Sequence, residues 1–208
     1  MARQTRQRIL DASLAMFNAQ GEPNVTTNHI ADELEISPGN LYYHFRNKDD
    51  IIEQLFAGYE ARMDAALSAP QGRLPGLEDV WLQLHLVFEC IWDYRFLYRD
   101  LVDILSRNRR LRLRFARILK RADEQAHAVM RGLVQAGVMR ASADELDAAA
   151  TNVLVVATFW MNYAAARGDR DEQTSIRDGI VQVMMLIAPF LRDAERVHLN
   201  TLTRAYLD

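Results

Sequence analysis

"ISPGNLYYHFRNKDD", residues 36–50, places a proline, a glycine, two adjacent tyrosines, a histidine and two cations within fifteen residues. Few of these residues favour helices, yet patterns of helical period flank the stretch on both sides. Its punctuation resolves it. Ser37 is suited to cap a helix whose first position, Pro38, lacks the N–H that would be orphaned there. That helix is short, covering residues 38–45. Asn47 caps the next one, with Asp49 and Asp50 in its first turn, where negative charge complements the dipole. Upstream, Thr26 or Thr27 caps a helix that ends near Leu34, and the tight "EIS" turn joins it to the short one. Two short helices joined in this way form a helix-turn-helix, the motif whose second helix enters the major groove of DNA and offers its N-terminal residues to base edges. The composition then has a reason. Asn40 can make a bidentate pair with adenine, and Pro38 can touch a thymine methyl, with Gly39 allowing close approach. Tyr42 and Tyr43 bring rings to bases and hydroxyls to phosphates, and His44 and Lys48 flank the helix as phosphate contacts. Leu41 and Phe45, four residues apart, face inward. A small solvated hairpin is the plainer alternative, because helical corners of this kind occur in many domains.

Outward from this motif the period stays helical nearly everywhere, which makes the chain all-α. A first helix over residues 5–19 carries the stripe Ile9, Leu10, Ser13, Met16 and Phe17 and is broken by "QGEPN". The fourth helix runs to about residue 67. "SAPQGRLPG", residues 68–76, is the clearest linker, with two prolines and two glycines. Helices over 77–92, near 96–105, over 109–135, from the "SADE" capping box at 142–145 to Gly168, and over 172–191 follow. Pro189 kinks or ends the last of these, and the polar tail beyond Asp193 is expected to fray.

The 208 residues are half hydrophobic and one quarter charged, enough to bury a core and too apolar for disorder. The single cysteine, Cys90, excludes an internal disulfide and a multi-cysteine zinc site, and a reducing cytoplasmic location is expected. No apolar run follows the arginines of "MARQTRQRIL", so it does not read as a signal peptide. Residues 148–166 carry no charge, a length near that of a membrane span. Thr151, Asn152, Thr158 and Asn162 within it favour a helix buried in protein instead. The net charge of −3 does not mark a nucleic-acid binder, but the distribution does more. Arg3, Arg6 and Arg8 lie at the N-terminus, Arg46 and Lys48 follow the tyrosine pair, and "RNRRLRLRFARILKR" spans residues 107–121.

The stretch "RILDASLAMFNAQGEPNVTTNHIADELEISPGNLYYHFRNKDDII", residues 8–52, resembles the DNA-binding domain of the tetracycline-repressor (TetR) family of bacterial regulators. The likeness lies in the "IL–A–F–G" spacing, "TT" before "IA", and "LYYHF" followed by Lys48. It covers a quarter of the chain. It implies a DNA-binding domain over residues 1–50 and a ligand-binding and dimerisation domain over 51–208. It implies a homodimeric regulator on an inverted-repeat operator of double-stranded DNA, a repressor rather than an activator, controlled by a small effector, the alternative being a regulator of the same fold that answers to a protein partner or to nothing. By the resemblance Thr27, Asn28, Pro38, Gly39, Asn40, Tyr42, Tyr43, His44 and Lys48 contact DNA. One position departs from the family pattern: Glu35 stands where the turn usually has glycine. Either Glu35 bears a left-handed conformation, at about 1–2 kcal/mol, or the turn has another shape.

Two late helices are apolar around most of their circumference and need a partner surface. Val153, Ala157, Trp160 and Ala164 on one, and Ile176, Ile180, Met184 and Ile187 on the other, are the expected interface of a two-fold four-helix bundle. His85, Phe88, Trp92, Phe115, Trp160, Asn162 and Tyr163 are candidates to line a cavity for an apolar or aromatic effector, against the plainer reading that such residues are core. The arginines of 107–121 form a solvated face, an anion site, or a surface that meets the acidic start of the fourth helix (Asp49, Asp50, Glu53). An enzyme reading rests on Glu124-x-x-His127 and Glu195-x-x-His198, the spacing of di-iron bundle ligands, with Glu89 as a further ligand. It lacks a second free glutamate in an apolar setting. The chain has no nucleophile elbow, phosphate loop or dinucleotide fingerprint, and neither enzyme activity, cofactor nor metal is expected.

Overall fold

A computed structural model describes residues 2–68, 73–168 and 171–207. Their secondary structure is helical: α1 (Ala2–Gln20), a 3-10 turn (Glu22–Asn24), α2 (Thr27–Glu33), α3 (Pro38–His44), α4 (Lys48–Ala66), α5 (Leu77–Asp93), α6 (Arg95–Arg99), α7 (Leu101–Arg107), α8 (Arg109–Gln135), α9 (Ala143–Arg167), α10 (Glu172–Ile187), a second 3-10 turn (Ala188–Phe190) and α11 (Asp193–Leu207). Four residues of the linker read at 68–76, residues 69–72, lie outside the described ones.

The expected punctuation is present. Ser142 and Glu145 close a capping box on α9, and Gly168 ends that helix at φ 88°, a left-handed position that glycine adopts without a Cβ clash. Three expectations are corrected. The helix expected near 96–105 is two short ones, broken at Asp100, whose φ of −107° leaves the helical range. α10 ends at Ile187 rather than at 191, giving way at Pro189, as that proline predicts, to a 3-10 turn. The tail beyond Asp193 does not fray but forms α11, because Leu199 and Thr203 are buried and His198 Nε2 lies 2.8 Å from Glu78 Oε1 on α5.

The chain divides into two compact units. The first joins Met1–Arg62 to Asp93–Arg114. Its core holds Ile9, Phe17, Leu41, Phe45, Ile51, Phe56, Tyr59 and Phe96. α6 is fastened to the end of α1 by polar bonds. Asn18 donates to Asp93 O (2.7 Å) and accepts from the Phe96 N–H (3.1 Å), while Arg99 donates to the Phe17 and Asn18 carbonyls near the C-terminus of α1, where helix carbonyls run out of intrahelical partners. The hydroxyls of Tyr59 and Tyr98 meet inside at 2.6 Å. Of the arginines at the start of α8, Arg109 and Arg112 are exposed, while others meet acids of α4. Arg110 pairs with Glu53 (3.0 Å), and Arg114 pairs with Glu60 (2.7 Å) while stacking on Phe56, so this surface meets acids along α4.

The second unit joins Met63–Trp92 to Phe115–Asp208. α9 and α10 pack closely: the Trp160 indole donates to Ser175 O at 2.8 Å. Gly179 is needed at that crossing, since a Cβ there would fall against the Phe88 ring and 2.8 Å from Trp160 Cδ1. α9 is not buried all round; Val155, Phe159 and Tyr163 are each about half exposed. Among the described residues no helix is long and apolar enough to cross a membrane.

His127 ties α8 to α9. Its Nδ1 lies 2.9 Å from Asp123 O and its Nε2 3.0 Å from Asp147 Oδ1. The bond to the Asp123 carbonyl, then the Asp147 and Asp123 carboxylates, hold the imidazolium above its ordinary pKa despite partial burial. A raised folded-state pKa means that the contribution is fully present below about pH 6.5 and is lost as pH rises through the folded value. The expected result is a stability decline from pH 6 to 8 that flattens in His127→Gln, read by thermal unfolding at each pH. An identical pH slope in both proteins would remove His127 as its source.

Candidate nucleic-acid interface

The Thr26 side chain accepts from the His29 N–H (3.2 Å), and His29 Nδ1 accepts from the Thr26 N–H (3.4 Å), so a reciprocal cap opens α2. Glu35 takes φ 54°, so it bears the left-handed conformation that the missing glycine would have relieved. Ser37 caps α3 through the Asn40 N–H (3.2 Å), and Asn47 caps α4 through the Asp50 N–H (2.8 Å). These local bonds fix the second helix of the motif. Leu41 and Phe45 are buried beneath it.

On its outer side Pro38, Gly39, Asn40, Tyr42 and Tyr43 are all exposed, Tyr43 at 80%. His44 is half-buried and packs edge-on against Tyr43, with ring centroids 5.0 Å apart. Thr27 and Asn28 come from the first turn of α2, and the Thr27 hydroxyl bonds the Tyr42 hydroxyl at 2.9 Å. Of the nine expected DNA-contact residues, six are exposed on these two helices, and Thr27 and His44 are half-buried beside them.

Lys48 is the ninth, and its ammonium is engaged within the chain. Its ammonium donates to the Glu22 and Val25 carbonyls (3.0 and 2.9 Å) and pairs with Glu22 Oε1 (2.8 Å). The Glu22 side chain is 1% exposed and also pairs with Arg107, which reaches Asp103 (3.3 Å) and Asp49 (3.9 Å). The Glu22 N–H donates to Asp100, whose carboxyl burial pushes up from its ordinary pKa. This buried knot holds the segment between α1 and α2. Two hints of it stand in the chain, the acid in "QGEPN" and the arginines after 107, but nothing in their spacing joins residues 22, 48 and 107.

The expected interface residues of α10 are also corrected. Ile176, Ile180, Met184 and Ile187 are buried in the chain's own core, Ile180 and Met184 completely. On α9, Trp160 and Ala164 are buried too, and Val153 and Ala157 are half-buried. A helical period identifies a buried stripe but not what buries it. The exposed row Val155, Phe159 and Tyr163 lies on a neighbouring face of the same helix, with Met185 of α10 also open.

Of the expected effector residues, Phe88 and Trp160 meet beside Gly179, and the Tyr163 ring lies 5.5 Å from that of Trp160. Phe88, Phe115 and Trp160 are core, and Trp92 and Asn162 are half-buried. His85 pairs with Glu89 at 3.2 Å, and Tyr163 lies exposed beneath Arg167. Among the described residues of the second unit are open clefts of about 370 and 320 Å3. Asp64, Leu67, Arg121, Glu124 and Gln125 line one; Leu74, Pro75, Val129 and Arg131 are among the residues lining the other, and none of the seven expected residues lines either. Of the di-iron pattern, His127 meets Asp123 and Asp147 through opposite ring nitrogens and His198 faces Glu78; among the described residues no group of three or more such side chains is arranged to hold a metal ion.

An exposed recognition helix on a capped three-helix base defines a helix-turn-helix protein. Comparison with known proteins specifies the family. The family profile described as "Bacterial transcriptional repressor" (TetR) matches residues 58–199, and that of "Bacterial regulatory proteins, tetR family" matches residues 9–55. The chain belongs to the TetR family of bacterial transcriptional regulators. Similar to it is a TetR-family transcriptional regulator from Marinobacter aquaeolei, 39% identical, with a TM-score of 0.89 over 97% of this chain and 98% of that one. An uncharacterized HTH-type transcriptional regulator, TtgW, of Pseudomonas putida is 41% identical over 56 residues, 27% of this chain and 42% of that protein. HTH-type transcriptional regulator AcrR of Shigella flexneri is 31% identical over 75 residues, 36% of this chain and 35% of that protein. The chain thus spans less than half the length of these curated relatives.

Proposed function

We propose that this protein is an effector-responsive transcriptional repressor that binds an inverted-repeat operator as a homodimer. The observation that carries the reading is the exposed row Pro38, Gly39, Asn40, Tyr42 and Tyr43 on a helix anchored from below by Leu41 and Phe45. Asn40 reads a base edge, Pro38 and Gly39 allow the backbone close, and Thr27, Asn28, Tyr42, Tyr43 and His44 meet phosphates and neighbouring bases. Lys48 acts from beneath by holding the segment that leads into α2.

Two recognition helices must be presented together to read two half-sites about one turn of DNA apart or somewhat more. The second copy is proposed to dock on the open row Val155, Phe159 and Tyr163 of α9 with Met185 of α10, an apolar surface that the chain leaves to water. A small apolar or aromatic effector suits the aromatic content of the second unit. By linkage, an effector that weakens operator binding tenfold has its own affinity weakened tenfold by operator, a coupling of about 1.4 kcal/mol.

Selection of bound duplexes from a random library tests the reading, with an inverted repeat as the expected outcome. Asn40→Ala should then cost about 1–3 kcal/mol on the selected site and relax one base position in each half. Selection of no sequence, or an Asn40→Ala profile identical to the original, would overturn the assignment.

A further inference from the structure

Duplex DNA requires cations at its backbone, and the one expected beside the recognition helix is already engaged. Lys48 is neutralised by the buried Glu22. Arg107, Arg110 and Arg114 are committed to acids of the 3-10 turn and α4. Arg6 is different. It continues the inward stripe of Ile9, Leu10, Ser13 and Phe17 on α1 past the end of the core. There its guanidinium stacks on the Phe45 ring, 4.8 Å from the centroid. Phe45 is the residue that ends the recognition helix. Stacking occupies the face of a guanidinium and leaves the N–H donors in its plane free, the geometry that suits bidentate phosphate binding. Among the described residues neither Arg6 nor Arg3 has a carboxylate within ion-pair distance. Arg3 lies one turn nearer the start of α1, on the same side as Arg6 and exposed to solvent.

We propose that the first two turns of α1 are a second DNA contact, in which Arg6, held against the recognition helix by Phe45, and Arg3 bind backbone phosphates. The contact fixes the depth and register of α3 in the groove without reading sequence, while Asn40 and its neighbours read bases. Arg46, exposed and next in the chain to Phe45, extends the same cationic end. This inference rests on the DNA-binding reading above and adds the residues that supply its electrostatic part.

The test uses the full chain and a fluorescein-labelled duplex of mixed sequence, about three helical turns long, with binding followed by anisotropy over a range of KCl concentrations. Arg6→Met keeps an apolar stem over Phe45 and removes the charge. It should lower the slope of log affinity against log salt by about one for each side chain removed and weaken binding roughly tenfold at low salt. Arg6→Lys should keep the original slope. Arg3→Gln, at a solvent-exposed position that cannot disturb the core, should lower the slope as Arg6→Met does, and it carries the test if Arg6→Met fails to fold. Original slopes in the charge-removing variants would overturn the contact while leaving DNA binding intact. Failure of the unaltered protein to bind any duplex, including products of the library selection, would overturn both.

Discussion

Lys48→Met is expected to cost about 3 kcal/mol of folding stability, far more than loss of a surface lysine. The ammonium donates to the Glu22 and Val25 carbonyls and forms an ion pair with Glu22 Oε1. Methionine fills the stem's space but gives the carbonyls no donor and the carboxylate no counter-charge. The Glu22 carboxylate, 1% exposed, would keep Arg107 but lose half of its compensation in a place that water does not reach. Removing one partner of a buried pair is the damaging change; removing both is far less so. The double variant Glu22→Leu with Lys48→Met should therefore recover much of the loss, and urea unfolding of the two proteins and the parent measures it. If Lys48→Met unfolded at the parent's urea midpoint and only lowered the salt dependence of DNA binding, Lys48 would be a phosphate ligand after all and the knot would be incidental.

Ile180→Asp is the second change with a large expected effect. Ile180 is fully buried between helices of the second unit, beside Gly179, where even one added carbon meets Phe88 and Trp160. An aspartate there has neither water nor a cation. The cost of about 4–5 kcal/mol takes most of the stability of an ordinary domain. Near-UV circular dichroism should show lost tertiary packing at room temperature. Phe159→Glu, altering a half-exposed ring on α9, should behave oppositely: a native spectrum, a thermal midpoint within a few degrees of the parent, and sedimentation as a single chain. A well-packed Ile180→Asp protein would contradict its burial, and a dimeric Phe159→Glu protein would move the proposed interface elsewhere.

These two contrasts mark how far the residues alone could be read. Local signals were legible because they act over three or four residues: Ser37 with Pro38, Asn47, the Ser142–Glu145 box and Gly168 all end or begin helices where expected. The outward side of α3 was legible for the same reason, since Leu41 and Phe45 set which side faces in. Side-chain partners far apart in the chain were not legible. Lys48 looks from its neighbours like a free cation, and only the fold brings Glu22 under it. The stripe Ile176, Ile180, Met184 and Ile187 has the period of any buried face, and periodicity does not distinguish a chain's own core from a second copy. α11 was misread because its few buried residues, Leu199 and Thr203, are outnumbered by polar ones in a short helix. The effector residues were the least legible, because aromatic side chains that fill a core and those that line a cavity share one pattern.

The bond between the Thr27 and Tyr42 hydroxyls has a consequence for the entropy of DNA recognition. Adjacent tyrosines on α3 begin from different states. Tyr42 is already restrained to α2, so its ordering was met when the chain folded. Tyr43, at 80% exposure, keeps more rotational freedom and must surrender it when a duplex arrives, a loss of about 0.5–1.5 kcal/mol for a side chain so immobilised. In the proposed complex the first ring is a preset template and the second an adaptable one. Some tolerance for variation in groove shape therefore resides in Tyr43, and the rigidity that rejects a misfitted site resides in Tyr42.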